Sequence, residues 1–380
     1  MAKRISAVFF LIVIFSVFVF LGVRLLGSRG DGLTVSLRSL VDGEFSTQLE
    51  TFAAENIPAQ SLLKQMAVSV RLAGGAAEID GVLVGDTMLM KNIQPPDEAV
   101  TAANQRAILN FADQNDRPTY VMLLPTACAI KQQELPEYMN LFNQRSFIDS
   151  VYTEMSGAVS VVDTYLRLLS GMDGYIYYRT LDNLTPMGGY LVYEQLGTRL
   201  GISPLRAMDQ FDIDYGSEYF YGDLYQTLPV SRIQPDRMLL YRFSKYRREY
   251  KVTHHSGGEQ RTYYTLFPEF VTDLAADRQP YEVILGGFSP VITITSSTSN
   301  DNSLLIFADE TVFSYIPFLL VHYSDVAIVD VEHATEQDLS ELNLDAYNQV
   351  LFGVSVDTYM HSDLSGAIDF FLKNGKEDGE

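Results

Sequence analysis

Cysteine and tryptophan are nearly missing from this chain of 380 residues, which has one cysteine, Cys128, and no tryptophan. A single cysteine excludes an intramolecular disulfide. Cys128 follows the apolar run 120–124, and no histidine is close to it in sequence. This position predicts a small buried hydrophobic residue rather than a catalytic thiol. Nothing in the sequence accounts for the missing tryptophan.

Basic side chains are also scarce, because 27 Lys and Arg stand against 48 Asp and Glu, which gives a formal net charge of −21. An acidic protein is poorly suited to bind nucleic acid or anionic lipid headgroups, since both partners are polyanions. A solvated acidic surface is the simplest interpretation of the remaining charge. Apolar residues make up 47% of the chain, which excludes a disordered protein and is enough for a large core.

The N-terminal segment contains a long apolar run, Ile5–Val23, which is interrupted only by two serines and a glycine. A helix of this length, rising about 1.5 Å per residue, spans a hydrocarbon core about 30 Å thick. Lys3 and Arg4 precede the run, so the N-terminus is predicted to be cytoplasmic. A cleaved signal peptide, the alternative, would end in an Ala-x-Ala-like pattern that is missing here. Residues 1–27 are therefore predicted to form a cytoplasmic stub and a transmembrane signal-anchor.

Three regions follow the predicted anchor. Residues 28–72 contain apolar side chains at helical spacing and are predicted to form a helical stalk. Residues 73–373 are predicted to form one ectodomain, and residues 374–380 a disordered tail. An exported eukaryotic domain of this size often carries several disulfides, so one cysteine behind an anchor fits a bacterial protein. We expect a single-pass protein of the bacterial cell membrane, with its C-terminal domain extracytoplasmic.

Strands and helices alternate through most of the predicted ectodomain, and the strands read as uninterrupted apolar runs. The predicted elements are a hairpin over 81–90, helices over 97–114, 138–156, 187–199, 312–323 and 336–342, and strands over 120–124, 159–162, 291–295, 303–307, 326–330 and 349–354. This alternation predicts an α/β fold with a parallel sheet flanked by helices. Residues 205–285 differ, because their tyrosines, charges and alternating apolar positions predict an antiparallel β-rich insertion.

Two segments of the predicted ectodomain carry motifs. Residues 181–184 read Leu-Asp-Asn-Leu between two threonines. This frame resembles an active-site block of the DHHW family, which reads Asp-His-His-Trp at these four positions. Residues 305–319 resemble the nucleophile block, in which a strand is followed by Asp-Ser. Shorter agreements lie at 123–126, 220–225 and 285–287. The resemblance covers about 37–357 and implies an SGNH-like fold, related to the SGNH hydrolases and the alginate O-acetyltransferases.

The family's chemistry implies three roles: a serine attacks an acyl carbonyl, a histidine accepts the serine proton, and an aspartate orients the histidine. By the resemblance, the serine position is Glu310, the histidine position is Asn183 and the aspartate position is Leu181. Glu310 has no hydroxyl, Asn183 accepts no proton at neutral pH, and Leu181 cannot orient a ring. The resemblance therefore implies the fold without the acyl-transfer triad.

Three acids near these positions leave a second interpretation open. The resemblance implies that Asp182, Asp309 and Glu310 converge, since their segments meet in the family's fold. Converging carboxylates are suited to glycoside hydrolysis or to binding a divalent cation. The simpler alternative is that Asp309 and Glu310 lie at a helix N-terminus, where free N–H groups favour acids. We predict no cofactor and no bound metal.

Histidines and tyrosines give weaker signals. His254 and His255 precede Ser-Gly-Gly and are predicted to lie in an exposed turn rather than in a metal site. The tyrosine clusters at 175–178 and 219–221 are suited to stacking on sugar rings, although half-buried strand tyrosines are the commoner explanation for such clusters.

Three functions remain open from the sequence. The first is a membrane-anchored, catalytically inactive protein with a binding or accessory role near bacterial cell-surface polysaccharide and its acylation. The second is an active esterase, acetyltransferase or glycan hydrolase with rebuilt carboxylate chemistry. The third is a structural envelope protein that contacts a partner through residues 205–285. The expected partners are the membrane and a cell-surface glycan or acylation machinery, and nucleic acid is not among them.

Overall fold

The structure is a computed structural model that describes residues 60–245, 248–268, 283–298, 300–340 and 342–374. The predicted anchor, most of the predicted stalk and all but one residue of the predicted tail lie outside these ranges. Within the described ranges, no helix is both long and apolar enough to cross a bilayer. The chain divides into two compact units, 1–71 and 72–380, and the described part of the first unit belongs to a helix.

The described elements follow one another in this order: α1 Gln60–Ala73, β1 Glu78–Ile79, β2 Val82–Val84, β3 Leu89–Lys91, α2 Glu98–Gln114, β4 Thr119–Leu124, α3 Ala127–Ile130, α4 Gln144–Met155, β5 Ser160–Val161, α5 Tyr165–Ser170, α6 Pro186–Arg199, β6 Phe211–Phe220, α7 Asp223–Thr227, β7 Asp236–Phe243, β8 Tyr250–Ser256, β9 Glu259–Tyr263, β10 Val291–Ser296, β11 Ser303–Ala308, α8 Val312–Leu319, β12 Asp325–Asp330, α9 Glu336–Leu339, β13 Gln349–Ser355, α10 Val356–His361 and α11 Ser365–Asn374.

Most predicted elements are found at the predicted places, and their ends follow local capping. Helix α2 begins after Asp97, whose carboxylate accepts hydrogen bonds from the N–H groups of Ala99 and Val100. Helix α4 was expected from residue 138 but begins at Gln144, because the Asn143 side chain caps it there. Helices α10 and α11, at the end of the described chain, were not predicted.

Eight strands form a central mixed sheet in the order β5-β4-β13-β11-β12-β10-β8-β9. The first five are parallel to one another, and the last three are antiparallel to their neighbours. Every residue of β4 and β11 is buried, as expected for parallel strands covered on both faces. The predicted α/β fold with a central sheet flanked by helices is confirmed.

The prediction that all main strands are parallel is wrong at β10. This strand pairs antiparallel with β12, with Ile292 opposite Ile328. A doubly buried apolar strand has the same sequence pattern whichever way its neighbour runs, so the direction was not encoded locally. The segment 205–285 is also only partly separate: β6 and β7 form their own two-stranded sheet, whereas β8 and β9 complete the edge of the central sheet.

The predicted exposed turn at His254 and His255 is wrong, because both residues lie in β8 and are buried. Nε2 of His254 is 2.8 Å from the carbonyl oxygen of Leu285. Burial lowers the pKa of His254, as it opposes the charged form. The turn falls at Gly257 and Gly258, where φ is 59° and 83°, values that glycine adopts readily.

Helices pack on the sheet through aromatic rings and glycines. Phe111 of α2 contacts the rings of Phe307 and Phe352, at centroid distances of 5.9 and 5.4 Å. Helix α6 approaches α8 so closely that a Cβ atom on Gly189 would lie 1.8 Å from the carbonyl oxygen of Ser314. Helix packing therefore explains Gly189, whereas a Cβ atom on Gly188 would lie 2.2 Å from the carbonyl oxygen of Ile176.

Candidate functional site

A cavity of about 560 Å³ lies at the carboxyl ends of the parallel strands. The residues that follow β4, β11, β12 and β13 all contribute to its wall, including Thr126, Glu310, His333 and Ser355. In open α/β sheets, ligand sites form at this edge because the strand ends and the helix starts leave a crevice there. Its volume is within the range of about 300–1,000 Å³ that is usual for ligand pockets.

The motif at 181–184 enters this cavity from a loop that is fixed at its C-terminal end. Thr185 caps α6, because its hydroxyl oxygen accepts a hydrogen bond from the N–H of Gly188 at 3.3 Å. The Thr185 hydroxyl also donates to the carbonyl oxygen of Tyr175 at 2.6 Å. Pro186 follows as the first helical residue, where its missing N–H costs nothing.

The N-terminal end of the motif is fixed by Asp236, a buried acid that sequence reasoning did not find. Its carboxylate accepts hydrogen bonds from the hydroxyl of Tyr175 and from the backbone N–H groups of Arg179 and Thr180, at 2.6–2.8 Å. The Thr180 hydroxyl donates to the same carboxylate and accepts from the N–H of Gly222. Both threonines that frame the motif are therefore structural anchors.

The three positions that the resemblance assigns to the triad all line the cavity. Leu181 and Asn183 are buried, at 5% and 6% exposure, and Glu310 reaches the cavity from the end of β11. The Asn183 side-chain oxygen accepts a hydrogen bond from the N–H of Leu184 at 2.7 Å. The mapping therefore places all three residues at one site, and none of them supplies the hydroxyl nucleophile or the imidazole base of the family's triad.

Asp309 has a structural role within the same wall. One carboxylate oxygen accepts hydrogen bonds from the backbone N–H and hydroxyl of Thr311, and the other accepts from the N–H of Ser355 at 2.8 Å. These bonds hold the start of α8 against the start of α10. The geometry agrees with the helix N-terminus interpretation for Asp309.

Glu310, the next residue, lines the cavity, and its side chain has no structural partner of this kind among the described residues. Its side chain is accessible to solvent, but the surrounding wall still removes water from the carboxylate. This desolvation, with the charges of Asp309 and Asp223, raises the pKa of Glu310 to about 7. Near neutral pH, the carboxyl at the serine position therefore exchanges a proton readily.

Asp182 has the most unusual environment of the motif. One of its carboxyl oxygens, Oδ1, is buried and accepts no hydrogen bond within the described part of the chain. Burial raises the pKa of Asp182 to about 7, against the opposing charge of Lys91. A buried oxygen without a donor is costly, and Asp182 lies on the cavity wall where a ligand has access.

The cavity also contains charged residues that sequence reasoning missed. Nζ of Lys91 is 2.5 Å from Oδ2 of Asp357. Desolvation lowers the pKa of Lys91, but the carboxylates of Asp357, Asp182 and Asp223 raise it more, so the net shift is upward. Asp223 belongs to the segment 220–225, so the resemblance contained a signal for it. Lys91 and Asp357 carried no local signal.

His333 is a second missed residue. Its Nδ1 lies 2.9 Å from Oδ2 of Asp330, the last residue of β12, and the imidazole lines the cavity while remaining largely exposed. The sequence contained a signal for this pair, because an acid ends the predicted strand and a histidine follows three residues later. No serine, threonine or cysteine of the described chain donates a hydrogen bond to this ring.

Within the described ranges, no group of three or more histidines, cysteines and acids is placed to hold a metal ion. Cys128 is buried, as predicted, and burial raises its pKa to about 11. The thiol is therefore protonated at neutral pH.

The protein has a mixed sheet with a cavity at the carboxyl ends of its parallel strands. These features place it in the class of α/β proteins whose ligand sites lie at this edge of the sheet. Residues 89–329 match the family model described as DHHW protein. This match covers more than half of the chain, so the chain belongs to the DHHW family, and the resemblance that the sequence motifs gave is confirmed.

Solved structures show the same fold at low sequence identity. A DHHW family protein from Eubacterium siraeum is 20% identical, with a TM-score of 0.64 over 77% of this chain and 96% of that chain. Bacillus cereus PatB1, solved with a sulfonyl adduct, is 16% identical, with a TM-score of 0.62 over 75% of this chain and 98% of that chain. No curated protein matches the chain.

Proposed function

We propose that this DHHW protein does not transfer acyl groups, and that its cavity binds a ligand in an accessory role near bacterial cell-surface polysaccharide. One observation carries the proposal: Glu310, Asn183 and Leu181, which the resemblance assigns to the positions of the family's serine, histidine and aspartate, line one cavity. Loss of a single triad member in a serine hydrolase costs several orders of magnitude in rate, and here all three are replaced.

The residues that hold the motif at 181–184 in place are retained, which supports a binding role for the cavity rather than a collapsed site. Asp236 and both framing threonines still hold the motif in place. The cavity retains a volume of about 560 Å³ and a wall rich in charged groups. A rigid, open cavity without a nucleophile is suited to recognition, because its polar groups are already arranged for a partner.

Hydrolysis of p-nitrophenyl acetate by the full-length protein in detergent tests the loss of acyl transfer. We expect no rate above that of the heat-denatured protein. A rate that Glu310→Gln abolishes, and that the exposed control Glu259→Gln leaves unchanged, contradicts the proposal. Glu259 lies on β9 outside the cavity, so the pair separates cavity chemistry from a general effect of charge.

A second candidate function rests on the two raised carboxyl pKa values. Asp182 and Glu310 both line the cavity and both have a pKa raised to about 7. Two such carboxyls are suited to general acid and base catalysis near neutral pH, as in glycoside hydrolysis. This candidate predicts that the protein releases reducing sugar from an envelope glycan, with a rate that depends on pH near 7.

The glycan assay separates the two candidates. Loss of sugar release in both Asp182→Asn and Glu310→Gln, with retention in Glu259→Gln, supports carboxylate catalysis. The absence of turnover at every pH from 5 to 9 leaves the binding role as the remaining candidate for this cavity.

We also propose that residues 1–27 anchor the protein in the bacterial cell membrane. The support is the apolar run Ile5–Val23 with Lys3 and Arg4 before it. The protein should stay in the membrane pellet after washing at alkaline pH and should enter the detergent phase. Release by the alkaline wash would contradict the anchor.

A further inference from the structure

A second cavity, of about 1010 Å³, lies beside the two-stranded sheet of β6 and β7. Its wall shares no residue with the cavity at the strand ends. We call it the aromatic groove and define it by Tyr175, Arg179, Tyr215, Tyr219 and Arg237, all of which line it. One tyrosine from each of the two clusters that the sequence displayed, Tyr175 and Tyr219, therefore lines this groove.

Two of the groove tyrosines present large exposed surfaces. Tyr215 and Tyr219 of β6 are each 56% exposed, although an aromatic side chain gains stability by burial. Exposed aromatic side chains that line one concave surface are typical of binding sites, because they supply contact area with few rotatable bonds.

Contacts with buried and neighbouring side chains hold the third groove tyrosine, Tyr175, in place. The Tyr175 hydroxyl donates to the buried carboxylate of Asp236 at 2.6 Å, and the same carboxylate accepts from the N–H of Arg179. The Arg179 guanidinium lies over the Tyr175 ring, 4.5 Å from its centre. Arg179 and Tyr175 therefore form a fixed pair, and little side-chain entropy remains to be lost on binding.

The charge of the groove is opposite to that of the protein. Arg179 and Arg237 are the charged residues among the described residues that line it, and none of these described lining residues is an acid. The formal net charge of the chain is −21. The buried Asp236 beneath the groove offsets part of this positive charge but is fully occupied by hydrogen bonds. A basic groove on an acidic protein favours an anionic ligand.

We propose that the aromatic groove binds an acidic sugar chain, a glycan that carries carboxylate groups. The partly positive C–H face of a pyranose ring packs on the electron-rich face of a tyrosine, and the forked guanidinium groups match carboxylates. A glycan fits this combination better than an acidic peptide, because exposed flat rings alternate here with cations. The site is separate from the cavity at Glu310, so its test does not depend on the proposed loss of acyl transfer.

Titration calorimetry with the full-length protein in detergent tests this site. The probes are a hexamer of galacturonate, the neutral hexamer of maltose units, and a poly-glutamate peptide of similar charge. We expect the galacturonate hexamer to bind and the neutral hexamer to bind at least about tenfold more weakly, because only the galacturonate carboxylates form charge-assisted hydrogen bonds with the guanidinium groups. Affinity should fall as salt rises.

Variants assign the binding to the groove. Tyr215→Ser and Tyr219→Ser should each weaken binding about fivefold, and Arg237→Gln about tenfold. All three side chains are exposed or line the groove, so the fold should tolerate these changes. The matched controls are Tyr264→Ser, at a tyrosine that is 79% exposed elsewhere, and Arg199→Gln at the exposed end of α6.

Three results would overturn the proposal. The first is equal affinity for the acidic and the neutral hexamer, and the second is equal weakening by the groove variants and by the controls. The third is poly-glutamate binding as tight as galacturonate binding, which would identify the groove as a simple anion site for peptides. A circular dichroism melt of each variant separates a loss of contact from a loss of fold.

Discussion

The cavity at the strand ends and the aromatic groove are built from opposite kinds of charge. Carboxylates dominate the cavity wall, namely Asp80, Asp182, Asp223, Asp309, Glu310, Glu332 and Asp357. Only Lys91 and His333 stand against them among the described lining residues. In the groove, two arginines line the wall, and no acid is found among the lining residues that the structure describes. We therefore expect the two surfaces to favour ligands of opposite charge.

The difference shows two ways of holding charge in a fold. In the cavity, acids crowd together on one wall that is only partly desolvated, and the pKa values of Asp182 and Glu310 rise to about 7. In the groove, arginines lie at the surface above one buried, fully hydrogen-bonded acid, Asp236. The first arrangement stores unfavourable energy that a ligand or a proton relieves, and the second is already satisfied.

The largest expected effect tests whether the cavity and the groove both depend on one anchoring residue. Asp236 holds Tyr175 on the groove side and Thr180 on the cavity side. Asp236→Ala leaves several buried donors without acceptors, so we expect the free energy of unfolding to fall by about 3 kcal/mol. Urea unfolding followed by circular dichroism measures it.

The control for Asp236 is an acid without a buried network. Asp113→Ala, at an exposed position in α2, should change the free energy of unfolding by no more than about 0.5 kcal/mol. If Asp236→Ala were as mild as this control, the two regions would not depend on one anchor.

A smaller effect should be specific to the cavity side. Gly189 lies in α6, directly behind the motif at 181–184, and a methyl group there would meet the carbonyl group of Ser314 at 1.8 Å. Gly189→Ala must push α6 from α8, and we expect it to lower the free energy of unfolding by about 2 kcal/mol. Gly366→Ala is the matched control, because nothing lies within 4 Å of the added atom.

This control should be neutral or stabilising by up to about 1 kcal/mol, since alanine favours the helix. Galacturonate binding at the groove should persist in folded Gly189→Ala protein. Loss of ligand binding at both the cavity and the groove would show that the two regions are not independent of each other.

The buried strands could be predicted from the sequence, whereas the direction of a neighbouring strand could not. The residues of β4 and β11 were found because both faces of a parallel strand are buried, and the apolar run therefore has no gap. The direction of β10 was missed because burial does not depend on direction. His254 and His255 were placed in a turn because the Gly-Gly signal follows them so closely.

The candidate site likewise contains some residues that could be predicted from the sequence and others that could not. Leu181, Asn183 and Glu310 were brought together through the resemblance, which carries the arrangement of a whole fold in two short motifs. Lys91 and Asp357 come from segments far apart in sequence, and neither lies in a motif. Their ion pair depends on tertiary packing, which no local pattern of residue types encodes.

A prediction on pH tests whether the cavity stores unfavourable charge. The pKa of Asp182 is raised in the folded protein, to about 7, above its unfolded value of about 3.9. The stabilising contribution of the protonated form is therefore complete below about pH 4 and is lost as pH rises through 7. Asp182→Asn should raise the free energy of unfolding at pH 8 by on the order of 2 kcal/mol and change it little near pH 4.

Urea unfolding at both pH values measures this difference, with Asp113→Asn as the control. The control acid is exposed and should show no gain at pH 8. A gain in Asp182→Asn that is the same at both pH values would show that the effect is packing rather than charge.

The smallest expected effect asks whether the cavity lacks only its three catalytic groups. Leu181→Asp, Asn183→His and Glu310→Ser together restore the residue types of the family's triad at positions that line one cavity. We expect acetyl-ester hydrolysis to rise only about tenfold above wild type, because a new aspartate at buried position 181 has no evolved partners and the surrounding acids oppose an oxyanion.

The matched control replaces the histidine of this triple variant with glutamine, so that the serine and aspartate remain without a base. Hydrolysis in the histidine variant alone would show that the frame around 181–184 still orients a base toward residue 310. Equal rates in both variants would mean that the acids of the cavity wall, rather than the three missing groups, prevent acyl transfer here. The cavity and the aromatic groove would then differ in function because they differ in charge.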